Sequence, residues 1–225
     1  MKYIIFGLGS FGKSLASRLT ELGHETIGVD NNMQKVEQLK ERITHTVCMD
    51  CTDRSAVSSL PLRDADACIV AIGEDEGASL LTTALLKQLG VKKIIGRVVS
   101  DLQKTVLEAM QIEEYILPEE ESAERLAMRL DNSGIVDSFK ISEKYSIIET
   151  RVPMRYVGMS LAEADLTKRY NVIVLTVLTL SKESENGLAK IFKRASGIAT
   201  PQTVMHENEV LVLFGELKDI EKLMH

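Results

Sequence analysis

The chain has 225 residues, 44% hydrophobic and 27% charged, with a formal net charge of −6. That composition suffices for one large or two small globular cores and excludes a mostly disordered polymer. The acidic balance, the 4% aromatic content and the lack of Trp argue against a nucleic-acid partner, which calls for clustered Lys and Arg and for stacking rings.

Taken in chain order, residues 2–6 form a short apolar run (KYIIF) that leads into GLGSFG and then into a helical pattern over 11–22. Further β-branched runs follow at 25–30, 45–49, 67–72, 93–98 and 114–117. Between them, apolar residues fall at three- and four-residue spacing over 33–42, 54–60, 76–89 and 102–110, as amphipathic helices require. Strands alternating with helices imply βαβ units on a parallel sheet. YIIF and CIVAI are apolar on both faces, as strands between two helix layers must be. The fold class expected is therefore α/β: a Rossmann-like, doubly wound parallel sheet over residues 1–118.

Pro118 closes the sixth run, and a Glu/Ala/Arg/Leu-rich helical stretch covers 119–130 before the break at Asp131-Asn132-Ser133-Gly134. Residues 119–140 read as a crossover helix and linker, and 141–225 as a small α+β domain. In that domain 145–152, 172–178 and 210–214 read as strands, 160–168 and 218–224 as helices, and the polar tract 181–199 as a loop or hairpin. The longest uncharged apolar stretch, nine residues over 172–180, falls far short of the ~20 that a membrane helix needs. Glycines interrupt the N-terminal apolar run too early for a signal peptide, so the chain reads as cytoplasmic.

Gly7-x-Gly9-x-x-Gly12 stands between a strand and a helix, the context in which this spacing binds a diphosphate. Gly7 permits the tight turn, Gly9 lets a pyrophosphate approach the backbone, and Gly12 lets helix and sheet pack closely. Ser10 and Phe11 complete the loop. Asp30 ends the second strand 18 residues after Gly12, where a carboxylate accepts ribose hydroxyls and repels a 2′-phosphate; Asn31 follows it. Asp50 and Cys51 lie at the exit of the third strand, and Ala71, Ile72, Gly73 and Glu74 at the exit of the fourth, beside the crevice of an open sheet. Asp53 reads as a helix cap, and Asp75 sits beside Glu74 near the crevice or caps the helix that follows. Arg97 ends an apolar strand, so burying it calls for a partner, either a phosphate or an acid such as Glu119. Cys48 and Cys51 form C-x-x-C without the further ligands of a zinc site. No Tyr-x-x-x-Lys pattern or paired histidine supplies a catalytic acid or base, so no catalytic residue is expected. The alternative is an NAD-dependent oxidoreductase with a small second domain.

The succession GLGSFG, Asp30, MDCTD, AIGEDEGASLL, IIGRV and LPEEESA resembles the RCK domain, the regulator of conductance of potassium. RVPMRYVGMSLAEADL and ENEVLVLFGELKDIEKL resemble the C-terminal module of the same proteins. Together they cover nearly the whole chain, in the arrangement of the Ktr/Trk-type gating subunits of bacterial potassium uptake. The resemblance implies a non-enzymatic subunit at the inner face of the membrane, bound to a potassium channel or transporter subunit. It implies ATP, ADP or NAD(H) in the cleft, a homodimer formed through the crossover and a higher ring, an octamer. It also implies a divalent cation at Glu119 and a second effector, such as cyclic di-AMP, on the C-terminal module. Ktr-type members commonly carry Arg where this chain has Ser10. The resemblance therefore carries no preference for ATP over ADP or NAD.

Overall fold

The structure is a computed structural model that describes residues 1–132, 134–185 and 188–224, with the side chains of 182–185 and 188–191 left aside. The chain divides into two compact units, Met1–Glu121 and Ser122–His225.

The first unit runs β1 (Lys2–Phe6), α1 (Ser10–Glu21), β2 (Glu25–Asp30), α2 (Met33–Leu39), β3 (His45–Cys48), α3 (Arg54–Ser58), β4 (Ala67–Val70), α4 (Glu76–Gln88), β5 (Ile94–Arg97), α5 (Asp101–Ala109) and β6 (Glu114–Ile116). Its six strands are all parallel, in the order β3-β2-β1-β4-β5-β6. The chain winds outward from β1 to β3, then returns to lay β4 on the other side of β1. The strand order reverses between β1 and β4, which opens a crevice above their carboxyl ends. Successive side chains of β1 enter opposite cores. Ile4 and Phe6 join Val57, Leu86 and Leu107 on one face, and Ile5 joins Ala16, Val36 and Leu39 on the other. This double burial explains the continuous apolar runs in the sequence.

Helices α2 to α5 begin on side-chain caps, from Asn32, Asp53, Asp75 and Ser100. Helix α1 begins on Gly9, which provides no such cap. Pro118, just past β6, opens α6 (Pro118–Asp131), a first-turn position where its missing N–H costs nothing.

The second unit is a five-stranded antiparallel sheet in the order β10-β9-β11-β8-β7. It is built from β7 (Ile135–Lys140), β8 (Tyr145–Arg151), β9 (Ile173–Glu185), β10 (Leu188–Ala195) and β11 (Val210–Glu216). Helices α7 (Leu161–Ala164), α8 (Leu166–Tyr170) and α9 (Leu217–Met224) accompany it, and Ile148, Leu211, Leu213, Ile220 and Leu223 form its fully buried core. Two readings of the sequence change here. The sheet starts at Ile135, inside the stretch 119–140 read as linker, because β7 pairs with β8. Its Asp137 is taken up by Arg125, and Ser138 is buried, a polar content that hides a strand from a periodicity count. The helix expected over 160–168 is divided by Asp165, whose φ of +45° is left-handed. Of the two readings of the polar tract 181–199, loop or hairpin, the hairpin holds: it contributes the end of β9 and all of β10, paired antiparallel. Residues 186 and 187 at its tip, Ser133 in the expected break, and His225 lie outside the described residues.

Candidate functional site

A cavity of about 390 Å³ lies over the β1/β4 crevice of the first unit, within the range of small-ligand sites. Its walls are the segments that leave β1, β2, β3, β4 and β5. Gly9, at the start of α1, has an extended backbone, and a Cβ built on it would meet no atom within 4 Å. The loop therefore presents bare backbone to the cavity, with the uncapped start of α1 beside it. That is an anion seat: N–H groups and the positive helix end face the same way. Gly7 adopts φ +96°, donates its N–H to Val29 O at 2.7 Å and packs against Ile72.

Asp30 is 6% exposed and accepts two backbone N–H groups, Leu8 N at 2.7 Å and Asn32 N at 2.9 Å. One carboxylate thus clamps the glycine turn to the end of β2 while still lining the cavity. Its remaining lone pairs are available to hydroxyls. The α2 cap is Asn32, which accepts from Gln34 N and Lys35 N. Asp30→Ala leaves two N–H donors without acceptors, at an expected cost of about 2–4 kcal/mol. Urea denaturation measures it, and a loss under about 0.5 kcal/mol would mean that the clamp is dispensable.

At the β3 exit, Asp50 accepts from both the N–H and the hydroxyl of Thr52, at 2.8 and 2.7 Å, and these two bonds hold its carboxyl below the usual range. Burial above all, then the nearby Asp30 and Asp50 carboxylates, push the Cys51 thiol up to about 12. At neutral pH it is a neutral, poorly nucleophilic wall residue. Asp53 and Asp75 are caps as expected, accepting from Ser55 N and Ala78 N. At the far end, Glu74 faces Lys35 at 3.6 Å. Arg97 donates to Ala71 O at 3.3 Å and pairs with Glu119.

The cavity brings together Gly7, Gly9, Ser10, Asp30, Asn31, Asp50, Cys51, Ala71, Ile72, Gly73, Glu74, Arg97 and Glu119. Phe11 and Gly12 do not line it. Phe11 packs against the α1–α2 core with the Arg97 guanidinium 6.0 Å from its ring. Gly12 lies behind the loop, where an added Cβ would stand 1.9 Å from Gly7 O. Lys35, Thr52, Asp75 and Ala78 also line it. Lys35 and Thr52 had no motif to reveal them. Asp75, expected near the crevice or as a cap, is both.

Among the described residues no group of three or more His, Cys, Asp or Glu could hold a metal ion. Glu119, the residue expected to take a divalent cation, has its carboxylate engaged by Arg97.

A 3-2-1-4-5-6 parallel sheet with a glycine turn at β1 and a carboxylate closing β2 defines the nucleotide-binding α/β class. The TrkA-N domain matches residues 3–118. The Ktr system potassium uptake protein C of Bacillus subtilis (strain 168) is 31% identical over 221 residues, 98% of this chain and 95% of that protein. The chain belongs to the TrkA-N domain family, among the Ktr system potassium uptake proteins. The crystal structure of the GsuK RCK domain superposes on 99% of the chain with a TM-score of 0.64 and 17% identity. The GsuK channel bound to NAD does so on 99% with 0.63 and 18%. The chain spans 46% and 38% of those two chains, and the likeness to them is one of fold.

Proposed function

We propose that this protein is a nucleotide-binding regulatory subunit of a bacterial potassium uptake system, in which an adenine nucleotide biases the conformation of an oligomer. The observation that carries the reading is the match to a Ktr protein along nearly the whole of both chains, with a built cavity at the loop where a diphosphate would sit. The titratable lining consists of carboxylates, Lys35, Arg97 and a thiol held neutral. Such a lining, which includes no histidine, is suited to binding and positioning a ligand. A switch is therefore favoured over an oxidoreductase.

The partner in this reading is a membrane-embedded potassium channel or transporter subunit, and the protein works at the inner face of the cell membrane. No helix of the described residues is long and apolar enough to cross a membrane. Dimerisation through α6 is supported by a helix that buries none of its residues within this chain and exposes half of Leu126 and three-quarters of Leu130. Assembly into an octameric ring and a second effector of the cyclic di-AMP kind rest on the family resemblance alone. A divalent cation at Glu119 would need further donors, from ligand phosphates or from a second copy.

The nucleotide acts only through its difference in affinity for two conformations. Isothermal titration of protein freed of endogenous nucleotide should register saturable binding of ATP, ADP or NAD. Small-angle scattering should then give two particle shapes, with and without ligand. Absence of heat with all three ligands would overturn the assignment of the cavity, and identical shapes would overturn the switch. Turnover of NADH with a carbonyl substrate would restore the oxidoreductase.

A further inference from the structure

Among the described residues, Arg97 is the one group lining the cavity that combines a permanent charge with a buried, unsatisfied donor. It leaves the end of β5, and its side chain is 15% exposed. The guanidinium packs against Gly73, where a Cβ would stand 2.5 Å from Nη1 and 2.6 Å from Cζ, so only glycine leaves Arg97 its space. Nη1 donates to Ala71 O and Nη2 pairs with Glu119, while Nε is buried with no hydrogen-bond partner among the described residues. A buried donor left unused is unfavourable, and the fork geometry of a guanidinium fits a phosphate bidentately.

The partner that Arg97 has is easily given up. The Glu119 side chain is 60% exposed and returns to water at little cost. It also stands in the first turn of α6, where the helix dipole stabilises a free carboxylate. A phosphate in the cavity has neither option, because it is held over the loop and needs a counter-charge. The other cation lining the cavity, Lys35, faces Glu74.

We propose that Glu119 and a phosphate of the bound nucleotide compete for Arg97, so that ligand binding exchanges the Arg97–Glu119 pair for an Arg97–phosphate pair and releases the first turn of α6. This deepens the nucleotide reading of the same cavity and rests on it. Glu119 is here a positioning residue, acting on the ligand through Arg97. The exchange gives the site a selectivity: ligands with a phosphate at this end release α6, and nucleosides do not.

The test is a double-mutant cycle read by calorimetry with ADP and with adenosine, using the full chain. Glu119→Gln keeps the shape and removes the competing charge, so ADP should bind about three- to tenfold tighter while adenosine is unchanged. Arg97→Gln should weaken ADP about tenfold or more. In the Arg97→Gln background, Glu119→Gln should then have no effect on ADP. If Glu119→Gln tightens ADP equally in both backgrounds, Glu119 merely repels the phosphate through space and the exchange is wrong. An unchanged ADP affinity in Glu119→Gln overturns it as well. Should Arg97→Gln not fold, Arg97→Lys serves: it keeps the charge but loses the fork, and the gain from Glu119→Gln should shrink. Failure of the unaltered protein to bind ADP would instead strike the nucleotide reading itself, a result distinct from every outcome of the cycle.

Discussion

Gly9→Val is expected to abolish nucleotide binding while leaving the protein folded. The backbone at position 9 is extended and any residue can adopt it. A Cβ there meets nothing within 4 Å, so the substitution creates no clash inside the protein. The isopropyl group instead stands over the loop, in the space lined by Gly7, Ser10 and Ala71, and keeps a diphosphate from the N–H groups at the start of α1. With the charge-assisted contacts of the diphosphate gone, affinity should fall by at least about a hundredfold. Calorimetry measures the loss, and thermal denaturation should give an unchanged midpoint. Retention of affinity in a folded Gly9→Val protein would move the phosphates off this loop.

Gly12→Ala is expected to do the opposite, damaging the fold first and the site as a consequence. Its Cβ would stand 1.9 Å from Gly7 O and 3.1 Å from Gly7 C. Those are backbone atoms of the turn, which Asp30 pins from the other side through Leu8 N and which Gly7 ties to Val29 O. Neither the loop nor α1 can give way cheaply, and overpacking of this kind costs about 1–3 kcal/mol or more. A single methyl group here should therefore lower the unfolding midpoint by several degrees. Denaturation monitored by circular dichroism checks it, and full stability would mean that α1 shifts freely on the sheet. Two glycines of one motif thus fail in separable ways, Gly9 through the ligand and Gly12 through the protein.

Strands β1, β2 and β4 were legible because parallel strands buried on both faces are short, continuous and apolar, bounded by glycines and helix caps that act within a few residues. The glycine turn and the acid ending β2 were legible for the same reason, since the chemistry of each is local. The second unit was read less fully. Strand β7 carries Asp137 and Ser138, and nothing in that segment alone says that Arg125 and the neighbouring strand β8 satisfy it. The hairpin of β9 and β10 was legible only as one of two readings, because a sheet edge tolerates polar residues that a periodicity count cannot tell from a loop.

Sequence alone determined the class of the first fold, the loop that would seat phosphate, and the carboxylate beside it, because these depend on residue type and spacing. Tertiary structure decided how they are used. It turned Asp30 from a free ligand group into a clamp on the turn, sent Gly12 and Phe11 behind the cavity, and brought Lys35 and Thr52 to its wall. It also set Arg97 against Glu119. Those outcomes depend on which groups meet across 20 or more residues of chain, where burial and the competition for hydrogen bonds, not local preference, set the partner.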